Sequence, residues 1–407
     1  MNALEDKPYI VSWNLTRQCN LSCKHCYIDA HPGVTLEDEN EITTDDALSI
    51  IKELSLLNSN LMLILTGGEP MLREDIFDIV HSASSAGLIV VLGSNGTLLT
   101  RDSLKMLKDA GLMGVGISID STGSLHHDSF RGYKGAWDLS VSALRNSKEA
   151  GLETQVDVTL TDQNCSEVDD FVELGVSMGA KAVNFFFLVC TGRAVRTEIS
   201  TGNYDVVLKK IAKISMNERR LMVRARCAPH FYRILYEGGF PVQKGMRGCL
   251  AGRHYLRIDP QGNITPCPYM PLTIGNIMEK PLAAIWEESE QLMLLRNGAY
   301  NGRCGMCEYT EICGGCRARA LSVRGGLMEE DPLCHYIPQS GRQVVFSETS
   351  HAQCEWTPEA KERIRKVPFF MQGIVTKIIE AKASERGSGI ITSKMIDEFK
   401  ELRNAKK

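Results

Sequence analysis

Apolar runs and amphipathic runs alternate along the first half of the chain. Residues 9–16 (YIVSWNLT) form an apolar, β-rich run, and similar runs recur at 61–65, 88–92, 113–119, 154–160 and 182–188. Each has the length and composition of a buried strand. Between them, 44–57, 73–86, 102–110, 137–150 and 166–178 repeat apolar positions every three to four residues, the period of a helix with one buried face. Gly87, Gly111 and Gly151 follow three of these segments, where a left-handed cap is expected. Alternation of strand and helix predicts an α/β fold of parallel βαβ units. Six strands fall short of the eight that close a barrel, so the expectation for 1–225 is an open, partial barrel.

Beyond about residue 225 the periodicity fades and Cys, Gly and Pro become dense. A segment with so little apolar pattern needs metal as its staple, which predicts a second domain over 226–340. Residues 338–353 (PQSGRQVVFSETSHAQ) read as a linker, and Thr357-Pro358-Glu359 opens a helix with an N-cap signature. The last division, 341–407, is therefore a linker and a helical segment.

Composition narrows the chemistry. The 407 residues carry 46 Lys and Arg against 50 Asp and Glu, a net charge of −4, so no basic field points to nucleic acid or an anionic membrane. No apolar run approaches the roughly 18 residues of a membrane span. The start, MNALEDKPYIVSW, lacks a basic region followed by an apolar one, so no signal peptide is expected and the chain is placed in the cytoplasm. In that reducing compartment its 14 cysteines point to metal or redox work rather than disulfides.

Cys19, Cys23 and Cys26 form C-x3-C-x2-C directly after the first run. Three thiolates on one loop can hold three irons of a [4Fe–4S] cluster and leave the fourth open. The alternative is a structural zinc site, with His25 as its fourth ligand. The stretch CNLSCKHCY resembles the signature of the radical S-adenosylmethionine (SAM) superfamily, Tyr27 included. The resemblance implies a (β/α)6 partial barrel, a SAM molecule chelated by the open iron, and its cleavage to methionine and a hydrogen-abstracting 5′-deoxyadenosyl radical. Thr66-Gly67-Gly68-Glu69-Pro70 follows the second strand and resembles that family's GGEP motif. Two glycines let backbone come close to a ligand, and the Glu69 carboxylate can receive the SAM ammonium. By the same resemblance Ser94, Asn95, Ser118 and Asp120 contact the ribose and methionine portions of SAM. All of these lie at C-terminal strand ends, where βα-barrel sites gather. His126-His127-Asp128 with Arg131-Gly132 is similar to an HD-x-x-RG stretch of family members with extra clusters, and implies Arg131 as a fork on the SAM carboxylate. Gln155 and Asp157 on the fifth strand are expected to look into the barrel.

Cys249, Cys267, Cys304, Cys307, Cys313, Cys316 and Cys334 exceed one tetrahedral metal site. Their spacing resembles the SPASM extension, which holds auxiliary [4Fe–4S] clusters, with residues 255–263 as its hairpin and Gly262 at the turn. The resemblance implies Cys249, Cys267 and Cys316 on a first auxiliary cluster, and Cys304, Cys307, Cys313 and Cys334 on a second. Two residues separate Cys313 from Cys316, where the family usually has three. The first cluster then lacks one thiolate, for which Cys227, His230, His254, Cys354 or the substrate are candidates.

Glu355-Trp356-Thr357-Pro358-Glu359-Ala360, with Arg363-Ile364, Val367-Pro368-Phe369-Phe370 and Gly389-x-x-Thr392, resembles a module of light-independent protochlorophyllide reductase. Ser12–Cys19, Tyr27–Ala30 and Phe187–Arg193 are similar to the haem-biosynthesis branch of SPASM-bearing radical SAM enzymes, over nearly the whole chain. Within it the resemblance is nearest to the 12,18-didecarboxysiroheme deacetylases, which remove two acetate side chains to give Fe-coproporphyrin III. Fe-coproporphyrin III decarboxylation and dioxo-haem maturation are alternatives in the same branch. The implied partners are an iron tetrapyrrole, whose carboxylates Arg193, Arg224, Arg226, Arg247 and Arg253 would meet, and a low-potential donor such as ferredoxin or flavodoxin. Two further alternatives are a SPASM peptide-modifying enzyme and a non-catalytic iron–sulfur electron carrier. The first is disfavoured by the lack of room before Tyr9 for a leader-binding domain, and the second has no use for a SAM pocket.

Overall fold

The computed structural model of the protein describes residues 7–33, 40–58, 61–194, 201–339, 341–346, 354–365, 376, 379–380, 383 and 386–404. The chain divides into two compact units, 1–345 and 346–407. In the first, seven parallel strands run in sequence order: β1 (Ile10–Asn14), β2 (Met62–Thr66), β3 (Ile89–Ser94), β4 (Gly114–Ser118), β5 (Glu153–Leu160), β6 (Ala182–Phe187) and β7 (Met222–Arg226). The connecting helices are α1 (Thr44–Leu57), α2 (Ile76–Ser85), α3 (Arg101–Asp109), α4 (Ser124–Arg131), α5 (Ala136–Glu149), α6 (Val168–Met178) and α7 (Thr201–Asn217), and α8 (His230–Glu237) follows β7.

The predicted elements over 9–188 match these strands and helices, and Gly87, Gly111 and Gly151 have φ of +86°, +103° and +72°. A seventh strand, β7, and helices α4, α7 and α8 were not anticipated. β7 reads MVRAR, with arginines at every second position, so its pattern lacks the apolar continuity that marks the other six.

The sheet continues past residue 225. On the far side of β1, β8 (Tyr255–Ile258) pairs in parallel, so that Ser12 stands opposite Arg257. β9 (Asn263–Thr265) returns antiparallel, with Gly262 in the turn at φ +84°, and β10 (Gly275–Asn276) closes the edge. The sheet thus has ten strands, with order β10-β9-β8-β1-β2-β3-β4-β5-β6-β7. Short helices α9 (Leu282–Glu288), α10 (Glu290–Asn297), α11 (Gly302–Gly305) and α12 (Arg317–Arg324) carry the cysteine-rich part.

Side chains alternate along the strands. Val156, Val158 and Leu160 of β5 and Val183, Phe185 and Phe187 of β6 are buried in the core. The opposite face of the same strands carries Gln155, Asp157, Asn184 and, in register on β7, Arg224. This face is polar, which a core has no use for.

The second unit pairs β11 (Glu355–Trp356) with β12 (Ile390–Ile391), and has helices α13 (Pro358–Arg365) and α14 (Ser393–Asn404). The amide of Ala360 donates to Thr357 Oγ1 at 3.3 Å, as the N-cap signature predicts. Its core gathers Ala360, Ile379, Ala383 and Ile391. Val367–Phe370 lies outside the described residues. No helix among those described is long and apolar enough to cross a membrane.

Candidate functional site

Cys19, Cys23 and Cys26 sit on the loop that leaves β1 at its C-terminal end. The loop is laced to the end of β2: Gly68 N donates to Thr16 O at 2.7 Å and Glu69 N to Gln18 O at 2.9 Å. A β-carbon on Gly67 would lie 2.6 Å from Thr16 O, and one on Gly68 2.2 Å from Gln18 O. The two glycines therefore make room for the cysteine loop itself. Glu69 is fully buried, and its carboxylate accepts from Ser94 Oγ, Asn95 N and Met71 N at 2.9, 2.9 and 3.2 Å. Burial pushes its pKa up to about 7, against those hydrogen bonds. Glu69 thus ties the end of β2 to the end of β3.

Each thiol of the loop has one donor at its sulfur: Leu21 N on Cys19 at 3.4 Å, Arg131 Nη1 on Cys23 at 3.8 Å and Ala30 N on Cys26 at 3.3 Å. Burial pushes Cys19 up to about 12 and raises Cys23. Thiolates in such a place need positive charge beside them, and iron supplies it, so the three residues fit a cluster. Among the described residues no three His, Cys, Asp or Glu meet as for a single ion, and all 14 cysteines are free.

The other strand ends converge on this loop. Asn95 Nδ2 donates to Asn20 Oδ1 at 2.9 Å, and its side-chain Oδ1 accepts from Thr97 N at 2.8 Å. Ser118 ends β4, half-buried. Asp120, fully buried, accepts from Thr159 N at 2.8 Å and forms an ion pair with Arg131 Nη2 at 2.6 Å. Burial opposes its charge, but Arg131, His25 and His127 outweigh that and lower its pKa. Arg131 ends α4, whose last carbonyls receive Ser22 N and Lys24 N. Its guanidinium is thus engaged by Asp120 and Cys23. Tyr27 follows the last cysteine. Its hydroxyl accepts from Asn14 Nδ2 at 2.8 Å, and its ring lies 5.2 Å from that of Tyr269, which follows Cys267.

The seven remaining grouped cysteines separate into two sets. Cys304, Cys307, Cys313 and Cys334 line one cavity, with His230, Arg233, Arg303 and Tyr336. Cys249, Cys267 and Cys316 feel one another's charge in another place. Gly314 and Gly315 between the two sets have φ of +68° and +65°. Two successive left-handed residues turn Cys316 away from Cys313, which accounts for the short spacing. Cys316 N donates to the buried Asp331 at 2.7 Å, and Asp331 pairs with Arg319 at 3.0 Å.

The arginines expected to meet carboxylates differ. Arg193 donates to Cys23 O at 2.9 Å, Asp29 Oδ1 at 2.8 Å and Ala30 O at 2.8 Å. It clamps the cysteine loop. Arg253 is half-buried beside Arg247, whose Nη1 donates to Glu311 O. Arg226 and Arg224 face the polar side of the sheet, where Asp157 is held by Asn184 Nδ2 at 2.7 Å and Gln155 Nε2 at 3.3 Å. Burial, then the like charge of Arg226, pushes Arg224 down to about 9. Arg257, which sequence reasoning passed over, hydrogen-bonds Asn14 Oδ1 beside Tyr27. The every-second-residue arginines of β7 were the available signal for this polar face.

Residues 13–175 match the model of the radical SAM superfamily, 249–317 that of an iron–sulfur cluster-binding domain (SPASM), and 356–400 that of the protochlorophyllide reductase 57 kD subunit. The chain is 36% identical over 351 residues to an AdoMet-dependent heme synthase of Methanosarcina barkeri, covering 83% of this chain and 99% of that protein. It is 30% identical over 358 residues to an Fe-coproporphyrin III synthase of the same organism, covering 81% and 88%. Streptococcus suis SuiB bound to S-adenosylmethionine shares the fold with a TM-score of 0.67 at 16% identity, over 81% of this chain and 78% of that one.

Proposed function

We propose that this chain, which belongs to the radical SAM haem synthase family, removes carbon from the carboxylate side chains of an iron tetrapyrrole, by oxidative decarboxylation of Fe-coproporphyrin III propionates. When bound, the cluster and SAM supply abstraction of a hydrogen atom from an unactivated carbon, which side-chain acids and bases cannot do. The rest falls to the chain. Cys19, Cys23 and Cys26 would hold the cluster, and Arg193, Gly67, Gly68 and Glu69 fix their loop. Ser94, Asn95, Ser118, Asp120 and Tyr27 would border the SAM molecule. Arg224 and Arg226 would hold the substrate carboxylate.

The placement of Arg224 and Arg226 on the polar face of the sheet, on the strand beside Asn184 and Asp157, is the observation that carries this reading. A charge-assisted hydrogen bond contributes about 1.5–3 kcal/mol, so two such contacts favour a carboxylated substrate by about 100-fold or more. Choice of the propionate step rests on the higher identity to the heme synthase than to the Fe-coproporphyrin III synthase. Removal of the two acetates of 12,18-didecarboxysiroheme, the step the sequence motifs alone suggested, is overtaken by the 36% identity to the heme synthase against 30% to the Fe-coproporphyrin III synthase; it is kept as the second reading, supported by the match to the latter protein.

Anaerobically reconstituted enzyme, reduced with dithionite, would be incubated with SAM and each tetrapyrrole separately, and the products identified by mass spectrometry. Conversion of propionates to vinyl groups with loss of carbon dioxide is the expected outcome. Loss of acetates alone selects the second reading, and no change in either tetrapyrrole while 5′-deoxyadenosine forms refutes both.

A further inference from the structure

We propose that Cys227 is the fourth thiolate of the first auxiliary cluster, beside Cys249, Cys267 and Cys316, and closes that cluster to substrate. Cys227 lies outside the 249–317 stretch that matches the cluster-binding model, so spacing within that stretch does not reveal it. Backbone contacts bring it there. β7 ends at Arg226, and Cys227 is the first residue beyond it. Two residues on, Pro229 lies against Gly248, where a β-carbon would meet Pro229 Cα at 2.8 Å. Gly248 N donates to Ile312 O at 2.8 Å, which holds the Cys313–Cys316 turn alongside. Gly252 N donates to Pro266 O at 3.1 Å and draws in Cys267. Arg319, one turn after Cys316 on α12, donates to Cys227 O at 2.9 Å.

Cys227 has φ +55°, a left-handed backbone rare for a residue with a β-carbon. Such conformations persist where the surroundings over-determine them, and they cluster at functional sites. The charges of Cys316 and Cys249 fall on Cys227, and those of Cys227, Cys249 and Cys316 on Cys267, so four thiols share one neighbourhood. The other candidates are engaged elsewhere. His230 Nδ1 bonds Tyr204 Oη at 2.7 Å, the His254 ring stacks on Tyr9 at 4.9 Å, and Cys354 donates to Ser388 O within the second unit. With four thiolates no iron of that cluster is left open to substrate. This deepens the cluster assignment of Cys249, Cys267 and Cys316, and its test needs no tetrapyrrole.

The parent for the test is the full chain with C19A, C23A and C26A, reconstituted anaerobically. Two auxiliary clusters give about eight irons per chain. A parent with about four irons or fewer overturns the two-cluster assignment itself. Into it are placed C227G, which suits the left-handed backbone and so removes the ligand without straining the chain, and separately H254A. C227G is expected to fall to about seven irons with a three-iron EPR signal after mild oxidation, or to about four, and to regain iron with added 2-mercaptoethanol; H254A should match the parent. Full iron with an unchanged EPR spectrum in C227G, the same loss in H254A, or loss of both clusters without thiol rescue would each overturn the assignment.

Discussion

Gly68→Ala isolates one contact. Gly68 needs no left-handed backbone, so alanine brings no conformational penalty there; its β-carbon, however, would stand 2.2 Å from Gln18 O and 2.7 Å from Gln18 C. Both neighbours are backbone and cannot rotate aside. Ordinary contact begins near 3.5 Å, so the end of β2 and the cysteine loop must separate by about 1 Å. Overpacking of this kind costs about 1–3 kcal/mol, and the Gly68 N to Thr16 O bond that is lost or stretched adds about 1 kcal/mol. A displacement of about 1 Å at a reacting centre lowers rates by about 100-fold. The assay is 5′-deoxyadenosine formed per iron-loaded chain under dithionite, read beside the thermal midpoint. Gly87→Ala is the control: φ is +86° there, with nothing within 4 Å of the new β-carbon. It pays about 1–2 kcal/mol of backbone strain and touches nothing. The expected result is that both variants lose stability and Gly68→Ala alone loses turnover per cluster. Equal turnover in Gly68→Ala and the unsubstituted chain, at equal iron content, refutes the idea that this glycine positions the cysteine loop.

Other outcomes follow from the same geometry. Replacing Cys19, Cys23 and Cys26 with Ala should leave auxiliary-cluster absorption and abolish SAM cleavage; surviving 5′-deoxyadenosine would contradict the loop's assignment. Arg193→Ala should hasten iron loss to a chelator while leaving the tetrapyrrole's Kd, read from its Soret band, unchanged; a weakened Kd would return Arg193 to the substrate. Arg226→Gln should weaken that Kd by about 10- to 100-fold, and by far less for a tetrapyrrole whose propionates are esterified. Asp120→Asn should cost about 3–5 kcal/mol by stranding the buried Arg131. Because the folded Asp120 pKa lies below its ordinary value, its contribution is present above about pH 4 and is lost as pH falls through the folded pKa. Denaturant titration of the cluster-free chain should therefore show a flatter acid limb in Asp120→Asn, and an unchanged limb would refute the ion pair's role.

Six strands and five helices were legible because each buries one face, and burial writes a period into the sequence. β7 was not, since its polar face looks into the lumen and its short run offers Val223 and Ala225 against Arg224 and Arg226. The cysteine triad was legible because its three thiolates lie on one loop, where spacing in sequence is spacing in space. The auxiliary set was only partly so. Cys227 reaches its neighbours through Pro229, Gly248 and Arg319, contacts made by chain crossings far apart in sequence.

The arginines carry this argument furthest. In sequence Arg131, Arg193, Arg224 and Arg226 are equivalent cations, each able to bind a carboxylate. The fold sets the carbonyls of Cys23 and Ala30 against Arg193, and the buried Asp120 against Arg131. Both charges are then committed to holding the loop. Opposite Arg224 and Arg226 the register of β5, β6 and β7 sets Asp157, itself bonded to Asn184. This placement on the polar face of the sheet, which no residue letter displays, is what the proposed carboxylated substrate rests on.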